Sequence, residues 1–534
     1  MNIKLKKFLI SDSSIESNRI IAFISCFVTG MIAHGFLIYN QIFNMDSLYV
    51  PYGMSPILAS GRWVGVLINN IFVLLLKYNL SINSFNIITG IFLLSLCSSQ
   101  LVEIFNIKKR YVSIVISSLI VVQPAIINLT GYSFVFHLDI FAMLITTYAV
   151  KLLLVKNKIV IPSILLGLSL GIYQAYMPYA LTIIFVYSFL YIIDGNDIDS
   201  LIRLGLKCLV VFIMAVVIYV VGLKLTVMFI DSTTFENTQV GYKGMDTSGL
   251  PLTSIPNLFL NILMPYKAFI DIYTGRYGFV TNFPIMRPVL ILVLIIFILT
   301  ILKLLKSTYA KNKINFIISI IIVLLLPIII NIQLLYYPGN TPRVQTGLFF
   351  IFLIPLLLFD RVGTVDNCLD YFDNYSSPKF ININKIITNL IWFLFIFIAI
   401  HFSFVSNGEH YRLYLMNKKY ERSMQHIANL IITNKDYKDG MEVMMCGEYK
   451  TPKVFMDYFD FSPYNIHDVY NEYGFVVDFS FSYAFMQMTN LKIYIQVPPE
   501  DRHKYKDIPN YPNPDCVQKI DDKLILIKFS DWYE

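Results

Sequence analysis

The 534-residue chain is 56% hydrophobic and only 14% charged, where a soluble globular protein carries roughly 25% charged residues. That balance excludes an ordinary soluble enzyme, a disordered chain, a collagen and a coiled coil, and indicates a polytopic membrane protein with its core in lipid. The 42 Lys and Arg against 35 Asp and Glu give a net charge of +7, but the basic residues stand in short clusters between apolar runs. That is the pattern of membrane orientation signals, not of a nucleic-acid surface, and the six cysteines have no metal-ligand spacing.

A span needs about 20 apolar residues to cross a hydrocarbon core of roughly 30 Å. The first expected span, Ile20 to Tyr39, follows Lys4, Lys6, Lys7 and Arg19, so residues 1–19 are read as a cytoplasmic tail. It is too long, and lacks the small-residue cleavage site, for a secretory signal peptide. Further spans are expected at Ile82 to Phe105, Tyr111 to Leu129, Ser133 to Leu153, Ile159 to Ile172, Met177 to Ile193, Leu204 to Phe229, Pro288 to Leu305, Ile314 to Tyr336, Val344 to Phe359 and Ile386 to Val405. Val64 to Leu76 is apolar but short, and reads as a helix lying along the outer interface. With it left out, the clusters Lys108/Lys109/Arg110, Lys151/Lys156/Lys158, Arg203/Lys207, Lys303/Lys306/Lys311/Lys313 and Arg361/Lys379/Lys385 all fall inside; counting it as a span would invert every later segment. The expected fold is thus an all-α membrane domain over residues 20–405, with about eleven transmembrane helices and outer loops at 40–81 and 230–287.

Residues 406–534 form an expected second domain, on the periplasmic side. Charge density rises there, a helical pattern runs from Glu409 to Asn434, and strand-like runs occur at Glu442 to Met445, Lys492 to Val497 and Lys523 to Phe529. They predict a small α/β or α+β unit. Its two cysteines, Cys446 and Cys516, either pair in an oxidising compartment or stay buried thiols, whereas Cys26, Cys97, Cys208 and Cys368 are isolated in or near spans.

Ionisable groups within or beside lipid need a partner or a role, and here they cluster on the outer side. The first outer loop, Asn40-Gln41-Ile42-Phe43-Asn44-Met45-Asp46-Ser47-Leu48-Tyr49, offers one carboxylate. The step Ser60-Gly61-Arg62-Trp63 offers a guanidinium, which competes with a plain interfacial Arg/Trp anchor. The fourth span opens Tyr132-Ser133-Phe134-Val135-Phe136-His137-Leu138-Asp139, which sets Asp139 about 9 Å inside the outer end. Asp139 therefore either pairs with a neighbouring span or lines a substrate cleft, and His137 is either an interfacial side chain or part of that cleft. The turn Gly171-Ile172-Tyr173-Gln174-Ala175-Tyr176-Met177-Pro178-Tyr179 supplies ring faces and amide hydrogen bonds of the kind sugars use. Arg343, in Tyr337-Pro338-Gly339-Asn340-Thr341-Pro342-Arg343-Val344, stands at the outer mouth of another span, where its two parallel N–H donors suit a phosphate oxygen. The loop from Asp231 to Arg287 is long enough to be a lid. A Walker A loop, a dinucleotide glycine fingerprint, His-Glu-x-x-His and Gly-x-Ser-x-Gly are missing from the sequence, which disfavours an ATP-driven pump or a soluble-type nucleotide-sugar enzyme.

Asp46 in the first outer loop, Ser60-Gly61-Arg62-Trp63, Gly171-Ile172-Tyr173-Gln174-Ala175-Tyr176 and Pro342-Arg343-Val344, in that order, resemble the GtrII family of bacterial membrane glucosyltransferases that decorate O-antigen. The resemblance covers most of the membrane region plus an outer carboxy-terminal domain. It implies a GT-C-type architecture with a catalytic carboxylate in the first outer loop. Related enzymes often carry two neighbouring acids there, whereas Asp46 stands with Asn44 and Ser47. The implied partners are a polyprenyl-phosphate-linked sugar donor, a lipid-linked or surface glycan acceptor, membrane lipid, a flippase and a donor synthase, with no nucleic acid. The implied location is the bacterial inner membrane.

On that reading Asp46 is the base, with Asp139 the second carboxylate that a retaining mechanism would need. Arg343 and Arg62 stabilise the leaving phosphate, and Trp63, His137, Tyr173 and Gln174 contact sugar. Neither a cofactor nor a metal is expected, because no carboxylate or histidine pair has ligand spacing. The rival readings are a flippase or transporter of lipid-linked saccharides and an O-antigen polymerase. A flippase would place charges along a path through both leaflets, and a polymerase would move whole repeat units.

Overall fold

In lipid a helix satisfies every backbone N–H and C=O within its own segment, so long apolar runs have few alternatives. The computed structural model describes residues 14–42, 61–76, 82–229, 261–276, 283–335, 345–365, 378–447, 485–486 and 488–530, and within them the apolar runs are helical. In chain order these are α1 (Ile15–Ala33), α2 (Gly35–Tyr39), α3 (Trp63–Leu76), α4 (Asn83–Ile104), α5 (Arg110–Val122), α6 (Pro124–Thr130), α7 (Ser133–Leu154), α8 (Val160–Ile172) and α9 (Tyr176–Ile193). They continue as α10 (Ile198–Phe229), α11 (Met264–Tyr273), α12 (Met286–Lys311), α13 (Lys313–Ile330), α14 (Leu353–Val365) and α15 (Pro378–Ile432). The end of the bundle where α1 begins is called proximal below, and the end where α1 finishes, distal.

Among the described residues, eight helices are long and apolar enough to cross a membrane, and the pair α5 and α6, bent by 44°, passes the same test when taken together. These nine coincide with nine of the expected spans. Of the other two, α8 has 13 residues, about 20 Å at helical rise. The last is a 3-10 turn, Thr346–Phe350, followed by α14. Apolar composition marks a segment as buried without revealing such breaks. At Gly347 the turn lies so close to α13 that a Cβ would overlap the Ile330 carbonyl. The α5/α6 bend has a local cause. Proline lacks an N–H and pushes the residue before it out of the helical region, and Gln123, before Pro124, is extended at φ −66°, ψ 151°.

The expected gap between a span ending at Val405 and a helix starting at Glu409 is absent. α15 runs unbroken for 55 residues, through the expected domain boundary at 405/406. Gly408 alone costs a helix only about 1 kcal/mol. Its neighbour Asn407 ties α15 to the top of α1 and to α2, donating to the Ile32 carbonyl (2.9 Å) and accepting from the Phe36 N–H (3.2 Å).

Beyond α15 lie β1 (Glu442–Cys446), β2 (Ile493–Gln496), β3 (Val517–Lys519) and β4 (Leu524–Lys528), in the order β2-β1-β4-β3. β1 is parallel to β2 and β4, and β3 is antiparallel to β4. Three strands match the expected runs; β3, three residues long, carries too little periodicity to be read. Alternate residues of a strand face opposite sides of a sheet. Cys446 packs with Met444, Val497, Ile508 and Leu526, whereas Cys516 packs with Val443, Met445, Ile525 and Ile527 on the other face. The sheet separates them, and both are free thiols, as are Cys26, Cys97 and Cys208. Cys368 lies outside the described residues.

Ion pairs gather at the proximal end. Glu103 on α4 meets Arg19 of α1 at 2.9 Å and Lys151 of α7 at 2.7 Å. Lys109 meets Asp360 at 2.7 Å, and Arg361 reaches both Asp194 (3.5 Å) and the Phe105 carbonyl (3.0 Å). Between the ends, small hydroxyls join helices: Thr29 with Ser118 (3.0 Å), Ser98 with Ser117 (2.7 Å) and Thr146 with Ser169 (2.6 Å), each worth roughly 0.6 kcal/mol in a bilayer setting. Replacing Glu103→Gln keeps the volume but removes the charge partner of the largely buried Lys151 ammonium, leaving it the Gln100 side-chain oxygen at 2.7 Å, and should lower stability by on the order of 2–4 kcal/mol. Thermal unfolding in detergent micelles checks this; an unchanged melting temperature would mean that Glu103 does not hold α1 to α7.

Candidate functional site

Six of the eight residues singled out from the sequence fall within the described structure, and all six lie at the distal end. The connection from α8 to α9 supplies the centre. α8 stops because Tyr173 turns extended (φ −158°, ψ 113°), and three residues later α9 begins with Tyr176. The rings of Tyr173, Tyr176 and Tyr179 meet edge to face, at 5.9 Å and then 6.0 Å between centroids. Tyr179 is tied to Thr147 of α7 (3.0 Å).

Arg62 lies over the Tyr173 face, its Cζ 4.2 Å from the ring centroid, a cation–π contact of about 1–2 kcal/mol when desolvated. Gln174 donates from Nε2 to the Tyr219 hydroxyl of α10 (2.9 Å). The indole of Trp63 is buried between α8 and α10, where only glycine leaves room for it. A Cβ at Gly171 would come within 2.8 Å of the indole, and one at Gly222 would overlap the ring. Trp63 thus wedges the first turn of α3 into the bundle and holds Arg62 beside Tyr173.

Asp139 is buried, 6% exposed, on α7, a helix that packs against α9. His137 precedes it by two residues, about 200° around the helix, and is therefore turned away from the carboxylate. Asp46 and Arg343 lie outside the described residues. The chain leading towards Asp46 is held at Ile42, whose carbonyl accepts from Asn83 Nδ2 (2.6 Å), while Asn83 Oδ1 accepts from Ser133 (2.8 Å), the first residue of α7. The chain following Arg343 is held at Thr346, whose hydroxyl donates to the Ala175 carbonyl within the tyrosine turn.

Sequence reasoning passed over Tyr176, quoting it only as part of the turn, and missed a second distal cluster. His34, at the end of α1, lies 3.0 Å from the Val121 carbonyl through Nε2 and 3.0 Å from Ser406 Oγ through Nδ1. A carbonyl only accepts, so Nε2 carries the proton and Nδ1 accepts from the serine. The break at Pro124 explains that carbonyl's need, since proline interrupts the helical ladder just beyond it. His410 Nε2 is 2.9 Å from Thr130 Oγ1; because that hydroxyl donates to the Ile127 carbonyl (2.6 Å), the histidine is the donor to it. The two imidazoles are 5.5 Å apart. Immediately before His410, the fully buried Glu409 takes two hydrogen bonds from Arg412, at 2.9 and 2.7 Å. A histidine inside an apolar run was the one visible signal for this joint. No group of three His, Cys, Asp or Glu able to hold a metal occurs among the described residues.

Membrane-length helices with an arginine, a carboxylate and stacked tyrosines gathered at one end define a polytopic membrane protein with a polar site at its distal end. The family model described as Glucosyl transferase GtrII matches residues 35–356, more than half of the chain, and the protein belongs to that glucosyl transferase family. No curated protein and no solved structure matches the chain. Family membership makes the protein a glycosyltransferase, and the match includes the positions of all eight site residues but not the tail sheet.

Gly222→Val should expel the indole of Trp63 and cost about 1–3 kcal/mol through overpacking. Measured in a Trp392→Phe/Trp532→Phe background, which leaves Trp63 the sole tryptophan, emission should shift to the red and the melting temperature fall. Unchanged emission would refute the wedge.

Proposed function

We propose that the protein transfers a glucosyl residue from a polyprenyl-phosphate-linked donor to O-antigen or another surface glycan, at the periplasmic face of the bacterial inner membrane. The observation that carries this reading is the separation of charge between the two ends. The basic residues Arg19, Lys109, Lys151 and Arg361 are engaged at the proximal end, which the positive-inside rule assigns to the cytoplasm. Arg62, Asp139 and the tyrosine turn lie at the other end. A nucleotide sugar is cytoplasmic, whereas a lipid-linked sugar crosses in the membrane and brings its own activated leaving group.

In this mechanism an acceptor hydroxyl oxygen attacks the anomeric carbon, and its proton passes to Asp46, a general-base contribution of roughly 100- to 10,000-fold. The bond from the anomeric carbon to the phosphate oxygen breaks, and its electron pair leaves with the polyprenyl phosphate. Arg343 and Arg62 stabilise the charge that develops on that phosphate. Direct displacement of this kind inverts the anomeric centre; retention would need Asp139 as a nucleophile. Tyr173 and Gln174 hold the sugar, Trp63 supports Arg62 from behind, and His137 belongs to the edge of the cleft.

The test is transfer of radiolabelled glucose from polyprenyl phosphate to a glycan acceptor by the purified protein in liposomes. Movement of the donor across the bilayer without transfer would favour a flippase instead. Asp46→Asn, nearly isosteric but not basic, should lower turnover at least about 100-fold, and full activity would remove Asp46 from the mechanism. Arg343→Lys keeps the charge but loses the two-pronged donor, so the donor KM should rise; an unchanged KM would make Arg343 an anchor.

A further inference from the structure

Arg276 and Arg287 are both exposed, and the backbone holds them close together at the distal end. α11 stops at Thr274 and Gly275, whose left-handed backbone (φ +65°) is a common helix ending. That turn brings Gly275 against Arg287, so close that a Cβ on the glycine would lie 2.8 Å from Arg287 Cγ, and Arg276 follows directly. Lys267, exposed one to two turns before the end of α11, extends the positive surface. Among the described residues none of these three cations forms an ion pair, and neither does the Asp271 carboxylate in the last turn of α11.

The usual reasons for such charges do not account for Arg287. It is the second residue of α12, where the helix dipole favours an anion and opposes a cation. Basic orientation signals belong at the other, proximal end. Two neighbouring guanidiniums also repel each other until an anion lies between them, and their parallel N–H donors fit phosphate oxygens.

The surface beneath shows what would carry the phosphate. Ile291, Ile295 and Leu299 are exposed and follow Arg287 at four-residue intervals, so they form one ridge along α12. From Arg287 to Leu299 is about 18 Å at helical rise, close to one leaflet of a hydrocarbon core roughly 30 Å thick. A cationic head on an apolar ridge of leaflet length matches a lipid, headgroup and chain together, whereas free phosphate would leave the ridge unused.

We propose that Arg276 and Arg287 dock the phosphate of an anionic phospholipid whose acyl chain lies along the α12 ridge. A zwitterionic headgroup is disfavoured, because its own cation would meet the two arginines. The proposal does not depend on the transfer reaction.

Lipid binding to the purified full chain in detergent micelles, read by native mass spectrometry, tests it. Wild type should hold one phosphatidylglycerol at least about tenfold more tightly than phosphatidylcholine. Dihexanoyl phosphatidylglycerol, too short to follow the ridge, should bind more weakly than the long-chain lipid. Arg276→Gln/Arg287→Gln should weaken the tightest phosphatidylglycerol about 10- to 30-fold, and Lys306→Gln/Lys313→Gln, which removes exposed cations from the proximal end, should leave it in place. Equal affinity of wild type for the two long-chain lipids, a comparison that needs no variant, would overturn the site. Displacement of the lipid by equimolar inorganic phosphate would overturn it too, by making it an ion site. So would an arginine variant that keeps both the wild-type melting temperature and the lipid, or a lysine variant that loses as much affinity, since the charge of the whole surface would then be responsible.

Discussion

The structure depends on the cost of leaving a polar group unsatisfied in hydrocarbon. Helices meet that cost for the backbone, and wherever a helix is broken or a charge is buried, another part of the chain compensates. Pro124 interrupts the ladder, and His34 donates to the carbonyl just before the break. Glu103 is half-buried, and cations come to it from two other helices. Thr346 begins a short turn where a span was expected, and its hydroxyl finds the Ala175 carbonyl. Departures from regular helix therefore fall where tertiary contacts meet, and they cluster at the distal end.

That constraint also explains what could be read from the amino-acid order. Apolar runs such as Ile82 to Phe105 and Ser133 to Leu153 became α4 and α7 with ends shifted by a residue or so, because burial in lipid depends on composition and length. The strand-like run Glu442 to Met445 likewise became β1. Composition could not show that α15 is continuous, since Ser406, Asn407 and Gly408 look like a loop until Asn407 is seen bonded to Ile32 and Phe36. Nor could it show that His34 and His410, far apart in sequence, are neighbours.

The candidate site was legible by residue type more than by role. Arg62 and Tyr173 came from motifs far apart in the chain, and they do meet. Trp63 had been read as a ring to stack on sugar, yet the two glycines that admit it, Gly171 and Gly222, give its indole a mechanical part. A glycine's value in such a contact lies in what approaches it, which a single sequence does not display. Tyr176 escaped notice for a related reason: tyrosine is common at membrane interfaces, and a sequence does not show that the Tyr176 hydroxyl is buried without a hydrogen bond among the described residues while Tyr179 reaches Thr147.

Because α15 spans 55 residues without interruption, it is a rod about 80 Å long rooted among the other helices and packed against the tail sheet at its far end. Such a rod acts as a lever. A tilt of one degree at its root sweeps the tip by roughly 1 Å, so the tail sheet and the helices beneath share a single mechanical element, without a break in α15 to absorb motion between them.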